Sequence, residues 1–265
     1  MNEPLDLLST IKARYLRDKV SIDCSYNNEM KVMAFNKAKN IASLLEKNYE
    51  QIKCEFDAFD KNLLYHVPED DVHNKKLWKF FPILLGNAHL YITVNGEKRL
   101  NKDFFKHAYD IVTSDPNILG ASISTIGPRC KLNAHTGYFN NMPHNCMIRL
   151  HLPLVVSSES YEECGMNVYE SRDELGYGEP TTEPTMKVSW KEGKVIFFDD
   201  SFKHCAWNNT DKSRTVLMVD YFVDNFLSRR LKIFNPLSEK QTSVEQCAHD
   251  FNVVIAEEFM KLSNG

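Results

Sequence analysis

The 265-residue chain lacks several features that would have placed it quickly. Its start, MNEPLDLLSTIKARYLRD, does not show the basic-then-apolar pattern of an export signal. No apolar run reaches transmembrane length, so no integral membrane segment is expected. Positive charge is not in excess: 32 Lys and Arg stand against 36 Asp and Glu, a net charge of −4, which gives no general electrostatic case for nucleic acid as a partner. The seven cysteines (Cys24, Cys54, Cys130, Cys146, Cys164, Cys205 and Cys247) include no CxxC pair. An odd, scattered set reads as reduced thiols, so a cytoplasmic location is expected, with secretion by a non-classical route left open. Glycine and proline number only 10 each, and no Pro/Gly/Ser-rich linker divides the chain. One domain over residues 1–265 is expected, with neither repeats nor low-complexity segments.

What is present changes character along the chain. Residues from about 5 to 60 have apolar positions at helical spacing, as in MKVMAFNKAKNIASLLEKNYEQIKCEFDAF. NKKLWKFFPILL, from Asn74 to Leu85, is expected to pack over the core or shape a groove. NKDFFKHAYDIVTSDP predicts a short helix ending before Pro116. From Leu119 the period becomes that of strands: LGASISTIG, CMIRLHLPLVV, MKVSW, KVIFFDD and RTVLMVDYF, without helical crossovers between them. That pattern predicts antiparallel sheets. Residues 157–185 form an acidic, turn-rich segment of the length seen in lids, with a possible strand at CGMNVYE. SVEQCAHDFNVVIAEEFMKL predicts a terminal amphipathic helix.

One strand poses the functional question. In CMIRLHLPLVV, Ile148, Leu150 and Leu152 face one way, toward a core; Met147, Arg149 and His151 face the other. The polar face is either solvated or lines an active site. His135-Thr136-Gly137 precedes this strand, and WKEGKVIFFDDSFKHCAWNNTDKSR follows with His204 and, ten residues on, Arg214. Two neutral imidazoles can bind a divalent metal. Non-haem iron sites, however, commonly add a carboxylate two residues after the first histidine, and here that position is Gly137. Asp199 and Asp200 are expected to order the turn before His204 rather than ligate. Trp190, Phe197 and Trp207 are read as core or cavity wall, His144 as a surface residue and Cys205 as structural.

HTG, NCMIRLHL, WKEGKVIFFDDSFKHCAWNNTDKSR and VLMVDYF together resemble the aspartyl/asparaginyl β-hydroxylase family of iron(II)- and 2-oxoglutarate-dependent dioxygenases. The resemblance runs from about Ser122 to Phe222, and more weakly from Ile41. It implies a mainly β fold with a double-stranded β-helix (jelly-roll, cupin-like) core over residues 119–222. A mainly helical flank with possible strands would occupy 1–118, and a helical extension 223–265. It implies His135 and His204 as catalytic iron ligands, Gly137 as an open coordination position, and Arg214 and Ser124 on the distal carboxylate of 2-oxoglutarate. It also implies Arg149 and His151 on the iron-proximal side, in contact with the cosubstrate or substrate. Iron(II), 2-oxoglutarate and O2 would be the cofactor and cosubstrates, and succinate and CO2 would be released as a C–H bond is hydroxylated. The β-carbon of an aspartyl, asparaginyl or related amino-acid unit is the expected target, presented as a peptide, a free amino acid or a carrier-bound small substrate; lipid-linked acyl groups stay open. Two departures bear on the substrate: YFNNMPH separates HTG from NC, and Met147 stands where a basic residue can occur. A non-catalytic jelly-roll ligand-sensing or interaction domain is the alternative, and a metal-dependent isomerase a weaker one. Oligomeric state is not addressed by the sequence.

Overall fold

A computed structural model of the chain describes residues 28–66, 77–85, 90–94, 97–135, 147–169, 180–200, 202–222, 232–235 and 240–243. Helix α1 (Asn28–Lys47) is followed by α2 (Tyr49–Ala58), the two-residue strand β1 (Tyr65–His66), and strands β2 (Trp78–Leu85), β3 (Tyr91–Val94) and β4 (Glu97–Leu100). Helix α3 (Lys106–Val112) leads into eight further strands. These are β5 (Ile118–Ile126), β6 (Cys130–His135), β7 (Met147–Val155), β8 (Cys164–Tyr169), β9 (Met186–Ser189), β10 (Ile196–Asp199), β11 (Lys203–Asn208) and β12 (Arg214–Phe222).

The strand order defines the architecture. One antiparallel sheet runs β1-β2-β5-β12-β7-β10 and the other β6-β11-β8-β9. Counting the eight strands from β5 as first to eighth, the sheets read 1-8-3-6 and 2-7-4-5. The chain therefore alternates between sheets as it winds, which is the double-stranded β-helix. The sequence reading of antiparallel sheets and a jelly-roll core is met.

Both faces of the larger sheet are covered. On its outer face, Ile148, Leu150, Leu152 and Leu154 of β7 pack with Ala38, Ile41, Ala42 and Leu45 of α1, all at most 8% exposed. Those helix positions follow the i, i+3, i+4, i+7 stripe. Phe59, Phe81, Phe104 and Phe105 add an aromatic cluster, with ring centroids 4.7–5.8 Å apart. The inner face meets the smaller sheet through Ile126, Leu132, Met166, Val168, Trp190, Phe198, Ala206 and Val216. Helices and core are tied at the turn before β10: Val195 N donates to Glu46 at 2.8 Å and the Tyr49 hydroxyl to Glu192 at 3.2 Å. Gly193 in that turn has φ +72°, with the Tyr49 ring 3.1 Å from where a Cβ would stand.

One expectation gains detail and another changes. The apolar run before Leu85 packs against the core as expected, but as a strand of the large sheet, β2, hydrogen-bonded to β5. Its Pro82 stands beside a register shift, where a ladder tolerates a missing N–H. The expected helical extension after residue 222 contains instead an antiparallel pair, β13 (Lys232–Asn235) with β14 (Lys240–Ser243). The terminal helix expected beyond it lies outside the described residues, as do residues 1–27.

Candidate functional site

His135 ends β6 and His204 lies near the start of β11; the two residues are directly paired across the smaller sheet. Their ring centroids are 4.5 Å apart. A local irregularity makes this possible. Leu132 faces inward, so in a regular strand His135, three residues on, would face out. The pairing passes from His204↔His135 to Ala206↔Leu132, which gives β6 one extra residue. This bulge returns His135 to the inner face, beside His204.

Both imidazoles are also set in tautomer. His135 Nδ1 lies 2.7 Å from the Asn133 carbonyl and His204 Nδ1 lies 2.9 Å from that of Phe202. A carbonyl only accepts, so each Nδ1 carries the hydrogen and each Nε2 keeps its lone pair. Burial pushes the His204 pKa well below its usual value, with His135 adding to the effect, so the ring stays neutral. Backbone carbonyls orienting the far nitrogen are the usual support of metal-bound histidines.

Arg149 and Asp220 are cross-strand partners on β7 and β12. The Arg149 fork grips Asp220 through Nε at 2.7 Å and Nη2 at 3.1 Å, while Nη1 lies 2.6 Å from Asp200. Asp200 is fully buried, and its Oδ1 stands 3.6 Å from His204 Nε2, beyond a direct hydrogen bond. Burial raises the Asp200 carboxyl, with the Arg149 charge opposing. Arg149 was expected to meet the cosubstrate or the substrate. Here each of its three nitrogens is on a protein carboxylate, and it holds Asp200 beside the histidine pair. Asp200 thus does more than order a turn.

Arg214, at the start of β12, is 2% exposed and stacks over the Trp190 ring at 4.1 Å. Burial lowers its pKa to about 10, which leaves it charged at neutral pH. Its companions include the thiols of Cys164 and Cys130. Ser124 lies diagonally across from it on β5 and accepts a hydrogen bond from Trp78 Nε1 at 3.1 Å. His151 lies near the same indole, its ring 6.4 Å away and inclined by 29°. Arg214 Nε, His151 Nδ1 and Trp190 Nε1 are all buried without a hydrogen-bond partner. Buried polar groups are seldom left so, and an indole N–H beside an unpaired guanidinium nitrogen marks a place for an anion with several acceptor oxygens.

Thus His135, His204, Arg149, His151, Ser124 and Arg214 share the inner face of the two sheets, whereas Gly137 and His144 lie outside the described residues. Among the described residues no three His, Cys, Asp or Glu side chains group as a metal site; His135 and His204 are the two imidazoles brought together. Neutral imidazoles suit iron, and the unpaired donors beside Arg214 suit a dicarboxylate. Asp200, Asp220 and Trp190 were not singled out as site residues in the sequence. The spacing of Asp200 four residues before His204 was the only signal, and it is ambiguous.

The family model described as aspartyl/asparaginyl beta-hydroxylase matches residues 46–223, more than half of the chain. The chain belongs to that family. Its relatives include the ornithine lipid ester-linked acyl 2-hydroxylase of Rhizobium tropici, 33% identical over 74% of this chain and 64% of that protein. The human aspartyl/asparaginyl beta-hydroxylase is 27% identical over 66% of this chain and 20% of that protein. The matched segment therefore spans less than two thirds of either relative. Among solved structures, HygX from Streptomyces hygroscopicus, with nickel and 2-oxoglutarate bound, aligns over 67% of this chain and 78% of that one at 11% identity and a TM-score of 0.44. No helix among the described residues is long and apolar enough to cross a membrane.

Proposed function

We propose that this member of the family is an iron(II)- and 2-oxoglutarate-dependent dioxygenase that hydroxylates an unactivated C–H bond and releases succinate and CO2. The observation that carries the reading is the opposed pair His135 and His204, directly paired across the smaller sheet with ring centroids 4.5 Å apart and each Nδ1 on a backbone carbonyl. Iron(II), with 2-oxoglutarate and O2, supplies the C–H oxidation. The chain's own residues position and shield the reactants. His135 and His204 would hold the metal; the sequence has Gly137 where a carboxylate ligand commonly stands. Arg214 and Ser124 take the distal carboxylate of 2-oxoglutarate, a planar guanidinium being suited to a bidentate contact. His151, neutral through burial and the neighbouring Arg214 charge, lines the same site beside Trp190. Arg149 keeps Asp200 fixed beside His204 and limits drift of the ligand rings.

The substrate proposed first is the β-carbon of an aspartyl, asparaginyl or related amino-acid unit. A second reading, the 2-position of a lipid-linked acyl group, is favoured by the 33% identity to the Rhizobium tropici acyl hydroxylase. The test is succinate release with iron(II), 2-oxoglutarate and O2, screened against aspartyl and asparaginyl peptides and acylated lipids. Substrate-dependent succinate with a hydroxylated product supports the proposal. Ligand binding without turnover across both panels leaves a ligand-sensing domain in its place.

A further inference from the structure

We infer that Trp190 is a ligand-binding residue, its indole N–H donating to the same carboxylate that Arg214 holds. This rests on the 2-oxoglutarate reading above and assigns a donor to that site. The chain has three tryptophans. Trp78 Nε1 donates to Ser124 at 3.1 Å, and Trp207 Nε1 donates to the Tyr161 carbonyl at 3.0 Å. Trp190 Nε1 has no acceptor among the described residues, although the residue is 0% exposed. An indole can only donate, so this group is satisfied only by an incoming acceptor.

Its surroundings select the acceptor. The guanidinium of Arg214 lies over the ring at 4.1 Å, so an anion drawn to Arg214 arrives within reach of the indole edge. His151 Nδ1 and Arg214 Nε are unpaired around the same ring. The ring serves twice: its face steadies the cation, and its edge adds a neutral donor to the cation's ligand. Among the described residues no carboxylate is paired with Arg214, in contrast to Arg149, whose three nitrogens are taken. The distal-carboxylate end of the site is therefore Arg214 with Trp190.

The test uses the full chain with zinc(II) as a diamagnetic stand-in for iron and 2-oxoglutarate as the probe. Indole N–H signals of Trp78, Trp190 and Trp207 are followed by NMR, and affinity is measured by calorimetry for the wild type and Trp190→Phe. Phenylalanine keeps a ring under Arg214 and removes only the donor. The expected result is a downfield shift of the Trp190 signal on titration. Trp190→Phe should bind 2-oxoglutarate about 10-fold more weakly, as loss of a hydrogen bond to a charged group predicts. It should lose much less affinity for 2-oxopentanoate, which lacks the distal carboxylate; a merely structural role would weaken both equally. Unmoved Trp78 and Trp207 signals in the variant establish its fold. An unmoved Trp190 signal, or unchanged affinity in the variant, while wild type binds 2-oxoglutarate overturns the Trp190 role alone. Failure of the wild type to bind 2-oxoglutarate overturns the cosubstrate reading as well.

Discussion

Replacing each of the two buried arginines by methionine should give opposite results. Arg149 has a side-chain exposure of 8% and bridges Asp200, at 0%, and Asp220, at 20%. Arg149→Met leaves Asp200 and Asp220 close together without the cation that pairs them. Removing one partner of such a buried network costs about 3–5 kcal/mol. Total stability of a folded domain is roughly 5–15 kcal/mol, so the variant should sit near the edge of folding. Arg214 is buried as deeply but faces an indole and thiols rather than carboxylates. Arg214→Met removes a desolvated cation and fills its space with an apolar chain, so stability should change by no more than about 1 kcal/mol. Its 2-oxoglutarate affinity should fall about 100-fold or more, since two charge-assisted hydrogen bonds are worth roughly 1.5–3 kcal/mol each. Urea unfolding monitored by circular dichroism gives the stabilities and calorimetry the affinities. Adding Asp200→Asn and Asp220→Asn to Arg149→Met should recover part of the lost stability. Equal stability of the two arginine variants, or a native 2-oxoglutarate affinity in Arg214→Met, would refute the reasoning.

Gly165→Ala should destabilise by about 1–3 kcal/mol, because its Cβ would stand 2.5 Å from Trp207 Cζ2 and against the Tyr161 carbonyl; urea midpoints check this. Tyr49, Tyr169 and Tyr221 are pushed up to about 12, each chiefly by burial, so an ultraviolet titration should show a late ionisation step near pH 12. Their folded pKa values lie above the unfolded value near 10, so their stabilising contribution is complete below about pH 10 and is lost as pH rises through about 12. Gly137→Asp writes a His-Thr-Asp sequence; iron should bind as tightly or more tightly while hydroxylation falls, measured by parallel metal titration and product quantification.

Several parts of this molecule were legible in the sequence because they rest on local periodicity. The α1 stripe of Ala38, Ile41, Ala42 and Leu45 and the alternation of Ile148, Leu150 and Leu152 in β7 both reach the core as their spacing requires. The strands bearing His135 and His204 were less legible. β6 and β11 are short and carry lysine, asparagine and histidine among their apolar residues, and His135 faces inward only through a bulge that no alternation pattern encodes. Asp220 closes the Arg149 network across 71 residues of sequence, and the Trp190–Arg214 stack also depends on the closure of the sheets. Histidine, arginine and serine positions came from the family motif; the partners that orient them came from the fold.

The central claim is that His135 and His204 bind iron(II) and that Arg214 presents 2-oxoglutarate to it. Anaerobic titration of the iron-loaded protein with 2-oxoglutarate, followed by the metal-to-ligand charge-transfer absorption of the chelate, reads both parts in one signal. The account predicts a saturable band in the wild type, no band in His135→Ala or His204→Ala, and a band that needs far more 2-oxoglutarate in Arg214→Met. A wild-type protein that retains iron but develops no band, or a His204→Ala protein that develops the native one, would contradict it.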